Sequence, residues 1–347
     1  GSNVTSASLL LVGRDFRAGK LDAALKRADD LADTGLSRFS KPLARAWILA
    51  GKKRYDDAIK ALDPLASEKG FAAMHGMHAG LIEELAGRTD AAEARYRKLI
   101  DDPKEASARI IRVLASVLQR NGKKEEAEKV IQSKLGVNEE SLVLGDDLER
   151  LKKGQKLERV AATPVEGLAE GLFNLASALP RDRAENVVLL YARIALDMVP
   201  HFDLAELLVG DVLVSRERHR EAIEAYRKIK SDSPYGWSAR LRIADALYEM
   251  KKLDEATALL ESMAALSSAH SVEPTRPYSS ASQLANTIVR LGLQPVLSAA
   301  AMPRAASSIE DVPELGSTAP WVQASRWLPR ITVRSGCSVP GMRAITL

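Results

Sequence analysis

The sequence predicts an all-α solenoid of antiparallel helical hairpins, with two arrays joined by an irregular segment. Three observations predict it. The stretch from Asp203 to Met263 reads twice through one pattern: Gly210, Leu213, Ala222, Tyr226 and Pro234 stand at offsets 0, 3, 12, 16 and 24, and 34 residues later Ala244, Leu247, Ala256 and Leu260 repeat the first four. A period of that length marks a repeat of one helical hairpin. Small residues at the first and third marks let paired helices approach closely, while the larger apolar ones fill the space between neighbouring hairpins. The composition agrees, because 46% hydrophobic residues with only 5% aromatics suit stacked hairpins that bury Ala and Leu.

The period carries backwards through the chain. Ala24, Ala58 and Ala92 hold the third mark at intervals of 34 residues, and Ala127 follows after one extra residue. Val12, Ala46, Gly80 and Ala115 hold the first mark. Between each pair lies a bend of helix-breaking or charged residues: Arg17 to Lys20, Gly51 to Arg54, Gly87 to Thr89, Asn121 to Lys124. Asp56-Asp57 and Glu125-Glu126 place acids in the first turn of a following helix, where the helix dipole favours them. Residues 5–137 are therefore expected to form about four repeats.

The period fails over residues 138–165, where a single helix from Glu139 to Leu151 is followed by a polar linker with Gly154, ending at Pro164. It resumes with Ala176, Leu179, Val188, Ala192 and Pro200, so residues 166–265 hold about three more repeats. A joint between two semi-independent blocks is the expectation. Beyond Ala265 Lys disappears, and eight of the 15 prolines lie there. Residues 266–347 are expected to be a disordered tail or the translation of a shifted reading frame, with one short helix over Ser282 to Leu293.

These repeats resemble the tetratricopeptide repeat (TPR). The resemblance implies a right-handed TPR-like α-solenoid and a role in protein binding. His78-Ala79-Gly80-Leu81 and the Glu170 to Pro200 hairpin are further similar to a group of bacterial TPR proteins, many of them exported. That likeness implies a periplasmic or envelope setting, with the cytoplasm left open.

Charge and composition narrow the function. A net charge of +4 is small, and seven Arg against four acids lie beyond Ala265, so the body is nearly neutral. Nucleic-acid binding, which wants Lys and Arg gathered on one face, is not expected. No apolar run reaches the roughly 18 residues of a membrane-spanning helix, so no membrane insertion is expected. Cys337 stands alone and cannot pair within the chain. The chain begins Gly1-Ser2-Asn3 without Met, the start expected of a trimmed or processed product, and Asn3-Val4-Thr5 matches a glycosylation sequon.

Nothing points to catalysis or to a cofactor. There is no Gly-rich phosphate loop, no nucleophile elbow and no paired-cysteine metal site. His75 and His78 share a helix face and Glu83 and Glu84 follow, but no second motif completes a metal site, so packing or groove lining is the plainer role. What remains is recognition of a protein or peptide.

By the TPR resemblance, places 2, 5, 9 and 12 of each first helix line the concave face, which in the amino-terminal array are Leu43 and Trp47, then Met74, Met77 and Leu81, then Arg109, Arg112, Ser116 and Gln119. An apolar, Met-rich stripe thus runs into a basic one, a lining suited to an adaptable groove for a hydrophobic peptide or helix. The alternative is that Met77 and Leu81 pack between hairpins. The carboxylate clamp of chaperone-binding TPR proteins is absent. In the carboxy-terminal array the same places hold Glu170, Phe173 and Ser177, then Leu207, Asp211 and Val214, then Leu241, Asp245 and Tyr248, a mildly acidic lining. The expected function is a non-enzymatic scaffold or adaptor; the alternatives are the regulatory region of a larger enzyme and an envelope-assembly protein.

Overall fold

A computed structural model of the chain describes residues 2–101, 107–135, 139–269 and 287. Among the described residues there are sixteen helices and the fold is all-α. The first four hairpins are α1 (Ser2–Arg17) with α2 (Leu21–Asp29), α3 (Ser37–Gly51) with α4 (Tyr55–Lys60) and α5 (Asp63–Ala66), α6 (Ala72–Leu85) with α7 (Thr89–Ile100), and α8 (Ala108–Arg120) with α9 (Lys124–Gln132). A single helix, α10 (Glu139–Lys152), follows. Three hairpins close the described chain: α11 (Pro164–Ser177) with α12 (Arg181–Met198), α13 (Asp203–Ser215) with α14 (His219–Arg227), and α15 (Gly236–Glu249) with α16 (Leu253–Ala269).

The small marks work by shape. A Cβ on Gly80 would lie 2.3 Å from the Tyr96 ring, and one on Gly210 would lie 2.2 Å from the Tyr226 ring. In both hairpins the second helix buries its tyrosine against the bare backbone of the first, which sets the close approach. Each phenol then donates a hydrogen bond back to the first helix, Tyr96 to Glu84 at 2.7 Å and Tyr226 to Asp211 at 2.8 Å.

Six of the seven hairpin bends share one geometry, closed by a residue of positive φ, namely Gly19, Lys53, Gly87, Gly122, Glu217 and Lys251, with the next amide donating to the carbonyl five residues back; the bend between α11 and α12 is made instead at Pro180. Gly154, at φ +70°, makes the same bend after α10, with the Gln155 amide on the Arg150 carbonyl. So α10 is the first helix of a hairpin whose second helix never forms. In place of that helix, residues 155–163 run irregularly until Thr163 restarts the chain, its hydroxyl and the Glu166 carboxylate completing a capping box around Pro164.

That detour returns the chain to its beginning. Helix α11 packs along α3 and touches α6 and α1, while α12 packs along α1. One hydrophobic core runs from Leu9 through Leu168 and Leu172 to Ala256. Two semi-independent blocks are therefore not what forms: residues 153–163 act as a crossover between arrays that share a core. The last hairpin adds a small satellite cluster of Leu241, Ala244, Leu260, Met263 and Ala264. The expected tail lies outside the described residues beyond Ala269, except for Thr287, which is helical and buried. No helix among the described residues is long and apolar enough to cross a membrane.

Because the core is shared, unfolding in urea is expected to be a single transition. Hydrogen exchange followed through the titration should lose protection in α2 and α14 at the same midpoint; two separated midpoints would show that the arrays are independent.

Candidate functional site

The first helices of the amino-terminal hairpins form one face, and the residues expected to line it do point into it. The face is covered by the chain itself. Leu43 and Trp47 have no exposed surface, and Leu81 has 1%. A Cβ on Gly171 would sit 3.3 Å from the Leu43 side chain, and one on Gly167 would sit 2.2 Å from the Trp47 indole. Only glycine at 167 lets the helix lie this close to α3, while at 171, one turn on, a larger residue would press tightly on Leu43. Met77 is 4% exposed and Met74 half-buried against the same core. The expectation of an open apolar groove at Leu43, Trp47, Met77 and Leu81 is thus corrected: in the folded chain α11 and the neighbouring hairpins occupy it.

Polar contacts fix the register of α11. The Trp47 indole N–H donates to His78 Nδ1 at 3.2 Å, with the two rings edge to face. Nδ1 accepts, so in the neutral ring Nε2 carries the proton; the Asn174 carboxamide, whose nitrogen lies 3.3 Å away, accepts that proton only with its oxygen turned to the ring. Burial pushes the His78 imidazole down to about 4, working against the Glu170 carboxylate. A neutral imidazole held from both sides is not poised to ligate a metal. Glu83 is paired with Arg88 and Arg95, and Glu84 with Arg120. Among the described residues no group of three or more potential ligands stands close enough to hold an ion.

One turn along, Glu170 is buried and receives Arg109 through two hydrogen bonds, Nε at 2.9 Å and a terminal nitrogen at 2.5 Å. Burial opposes the Arg109 charge, but the Glu170 carboxylate outweighs it and holds the guanidinium above its ordinary range. Arg112 pairs with Asp147 of α10 at 2.6 Å and donates to the Tyr235 hydroxyl at 3.0 Å. Arg109 reaches the same hydroxyl at 3.4 Å. The charges of the basic stripe are therefore countered by α10 and α11, and the Tyr235 hydroxyl at the start of α15 accepts from both guanidinium groups.

At the far end α8 grips main chain. The Gln119 carboxamide donates to the Gln155 carbonyl at 2.6 Å and accepts from the Leu157 amide at 2.8 Å, while Ser116 donates to the Glu158 carbonyl at 3.3 Å. Arg120, which shares Ser116 and Glu84, keeps a buried Nε with no hydrogen-bond partner. Burial pushes the Glu84 carboxyl up, in spite of Arg120 and the Tyr96 hydroxyl.

The carboxy-terminal places differ. Leu207 and Leu241 are buried at 7% and 6%. Asp211 accepts from Tyr226 and from Arg242 at 2.9 Å, so its charge is countered locally. Asp245 and Tyr248 are half-buried, with Lys251 lying 5.6 Å over the Tyr248 ring. Glu170, assigned by spacing to this acidic lining, instead serves the other array. Sequence reasoning passed over Gly167, Gly171, Asn174, Asp147 and Tyr235; the one signal for them was the pair of glycines four apart on a helix.

The 34-residue spacing and the nested hairpins define a TPR-like helical-repeat fold. No protein-family model and no curated protein matches the chain. Among solved structures it is similar to the TPR2AB domain:pHSP90 complex of yeast Sti1, at 17% identity and a TM-score of 0.29, over 75% of this chain and 98% of that one. It is also similar to Naa15/Naa10 bound to HypK-THB, at 14% identity and TM-score 0.33, over 82% of this chain and 55% of that one. A third is the P58(IPK) TPR domain, at 14% identity and TM-score 0.26, over 84% and 99%.

Two outcomes are expected here. Replacing Met77 with Glu should unfold the chain, since a buried carboxylate without a partner costs several kcal/mol; circular dichroism reads this, and a fully helical variant would mean that the face opens readily. The second concerns pH. The imidazole takes its proton near 6.5 in the unfolded chain and only near 4 in the folded one, so unfolding binds a proton and stability falls as pH drops through that window. The loss attributable to His78 is about 3 kcal/mol in total. The difference between the native chain and His78→Gln in urea titrations at successive pH values should show it; parallel curves would refute it.

Proposed function

We propose that the protein is a non-enzymatic scaffold that binds protein segments on the first-helix faces of its hairpins. The observation that carries this is the amino-terminal face itself, which already holds an extended stretch by its main chain and a helix by shape and charge. Its titratable groups are spent in pairs that position helices: Arg109 with Glu170, Arg112 with Asp147, Glu84 with Tyr96 and Arg120. Such pairs suit holding rather than chemistry. With that face filled, the carboxy-terminal places Asp211, Asp245 and Tyr248, rimming the buried Leu207 and Leu241, are where a partner meets the chain as it is folded. The bacterial envelope setting implied by the sequence resemblance belongs to the same proposal, and fractionation of the producing cells tests it.

The full chain, immobilised and exposed to extract of those cells, should retain a defined partner by mass spectrometry. Tyr248→Ala together with Asp245→Lys is expected to reduce its recovery at least tenfold while helicity stays native. Equal recovery by the folded double variant would remove the carboxy-terminal face from consideration, and capture of nothing beyond a denatured control would remove the scaffold reading.

A further inference from the structure

The segment 155–174 enters the amino-terminal face as a ligand would. Its main chain is read at 155–158 by Gln119 and Ser116, in the manner of an extended peptide, and its helix is read at four side-chain places. Those places are Gly167 against Trp47, Glu170 on Arg109, Gly171 against Leu43 and Asn174 on His78. They fall at i, i+3, i+4 and i+7, the spacing by which a groove reads one side of a helix. The receiving residues, in contrast, come from α3, α6 and α8, and Leu43, Trp47 and Arg109 among them stand where their own hairpins present side chains for recognition.

The fit is also incomplete. Arg120 Nε, buried where the lead-in crosses α8, has no acceptor. A buried donor left without a partner is costly, so a segment offering an oxygen there would be held better than the resident one. The resident is also tethered through an irregular crossover in place of the missing second helix after α10, and its ion pair with Arg109 is buried, a kind of contact that fixes register more than it adds stability.

We propose that the amino-terminal face is a receptor for a helix supplied in trans, and that residues 155–174 are its built-in competitor. The partner is a helix with small residues four apart, an acid beside the second of them and a carboxamide one turn on, preceded by an extended stretch carrying an acceptor for Arg120. This rests on the reading of the chain as a protein-binding scaffold, but its test reads occupancy of the face directly, so an unsuccessful partner search leaves it standing.

The probe is a fluorescent peptide of residues 155–179, titrated into full-length protein and followed by anisotropy. Gly167→Trp cannot seat against Trp47 and empties the face, so this variant should bind the peptide at least tenfold more tightly than the native chain. Adding Arg109→Glu should abolish that binding, and a peptide carrying Glu170→Arg should restore it. A helical Gly167→Trp chain that ignores the peptide would overturn the proposal and make α11 a fixed core element. Should that variant fail to fold, hydrogen exchange on the native chain decides. Amides of α11 exchanging at least tenfold faster than those of α3 and α6 support a displaceable helix; one common rate class overturns it. Light scattering separates the remaining occupant: a native dimer abolished by Gly167→Trp would put a second copy's α11 in the face, and the foreign helix would fall.

Discussion

The architecture depends on the contact between Gly167 and Trp47. An indole wholly withdrawn from solvent lies where any side chain on the opposing helix would stand. That contact sets the separation of α3 and α11, and the rest follows from helical geometry. With Gly167 against the ring, Glu170 and Gly171 come round one turn later to Arg109 and Leu43, and Asn174 follows to His78. The Trp47 indole N–H is satisfied in the same arrangement, which a buried indole needs. Two arrays that could have stacked only end to end share a single interior instead.

Charge gives this interior its specificity. Arg109 and Arg112, one turn apart on α8, meet Glu170, Asp147 and the Tyr235 hydroxyl, contributed by three helices distant in sequence. Removing an ion pair of this kind from water consumes most of what the attraction returns, so its net worth is small while the cost of misplacing it is large. A register slip of α11 by one residue would strand both a buried guanidinium and a buried carboxylate. Apolar packing between α3 and α11 tolerates such slips far better. The charges therefore select among packings that the hydrophobic effect alone would leave close in energy.

The hairpins were legible in the sequence because their determinants are local. Gly80 and Tyr96, or Gly210 and Tyr226, lie within one repeat, and the same small-to-large complementarity recurs at a fixed interval. The lining residues were legible too, since place along a first helix decides which way a side chain points. What they would meet was not. Leu43 and Trp47 look alike from the sequence whether they face solvent, a partner or α11, because the answer rests on a pairing of helices more than a hundred positions apart. Glu170 was assigned to the wrong array for that reason. His78 was legible as a packing or groove-lining residue, but nothing in its own helix reveals the indole and carboxamide on either side of its ring. Gly154 pointed to a joint between two blocks, but the bend there is that of an unfinished hairpin and sends the chain inward to a shared core.

The closure that α11 makes changes how such a chain reaches its fold. An open solenoid assembles by zipping, each hairpin finding the neighbour already beside it, and its contacts stay short in sequence. Here Arg14 must find Asp197 across 183 residues, and Arg109 must find Tyr235 across 126. Joining ends that far apart carries an entropic cost that grows with the logarithm of the loop, and no contact within either array offsets it. Hairpins can therefore form early and on their own, whereas the docking of α11 and α12 waits for α1, α3 and α6 to be in place. Until it occurs Trp47 and Leu43 are bare, and the newly made chain passes through a stage in which an apolar face is open to whatever else is near.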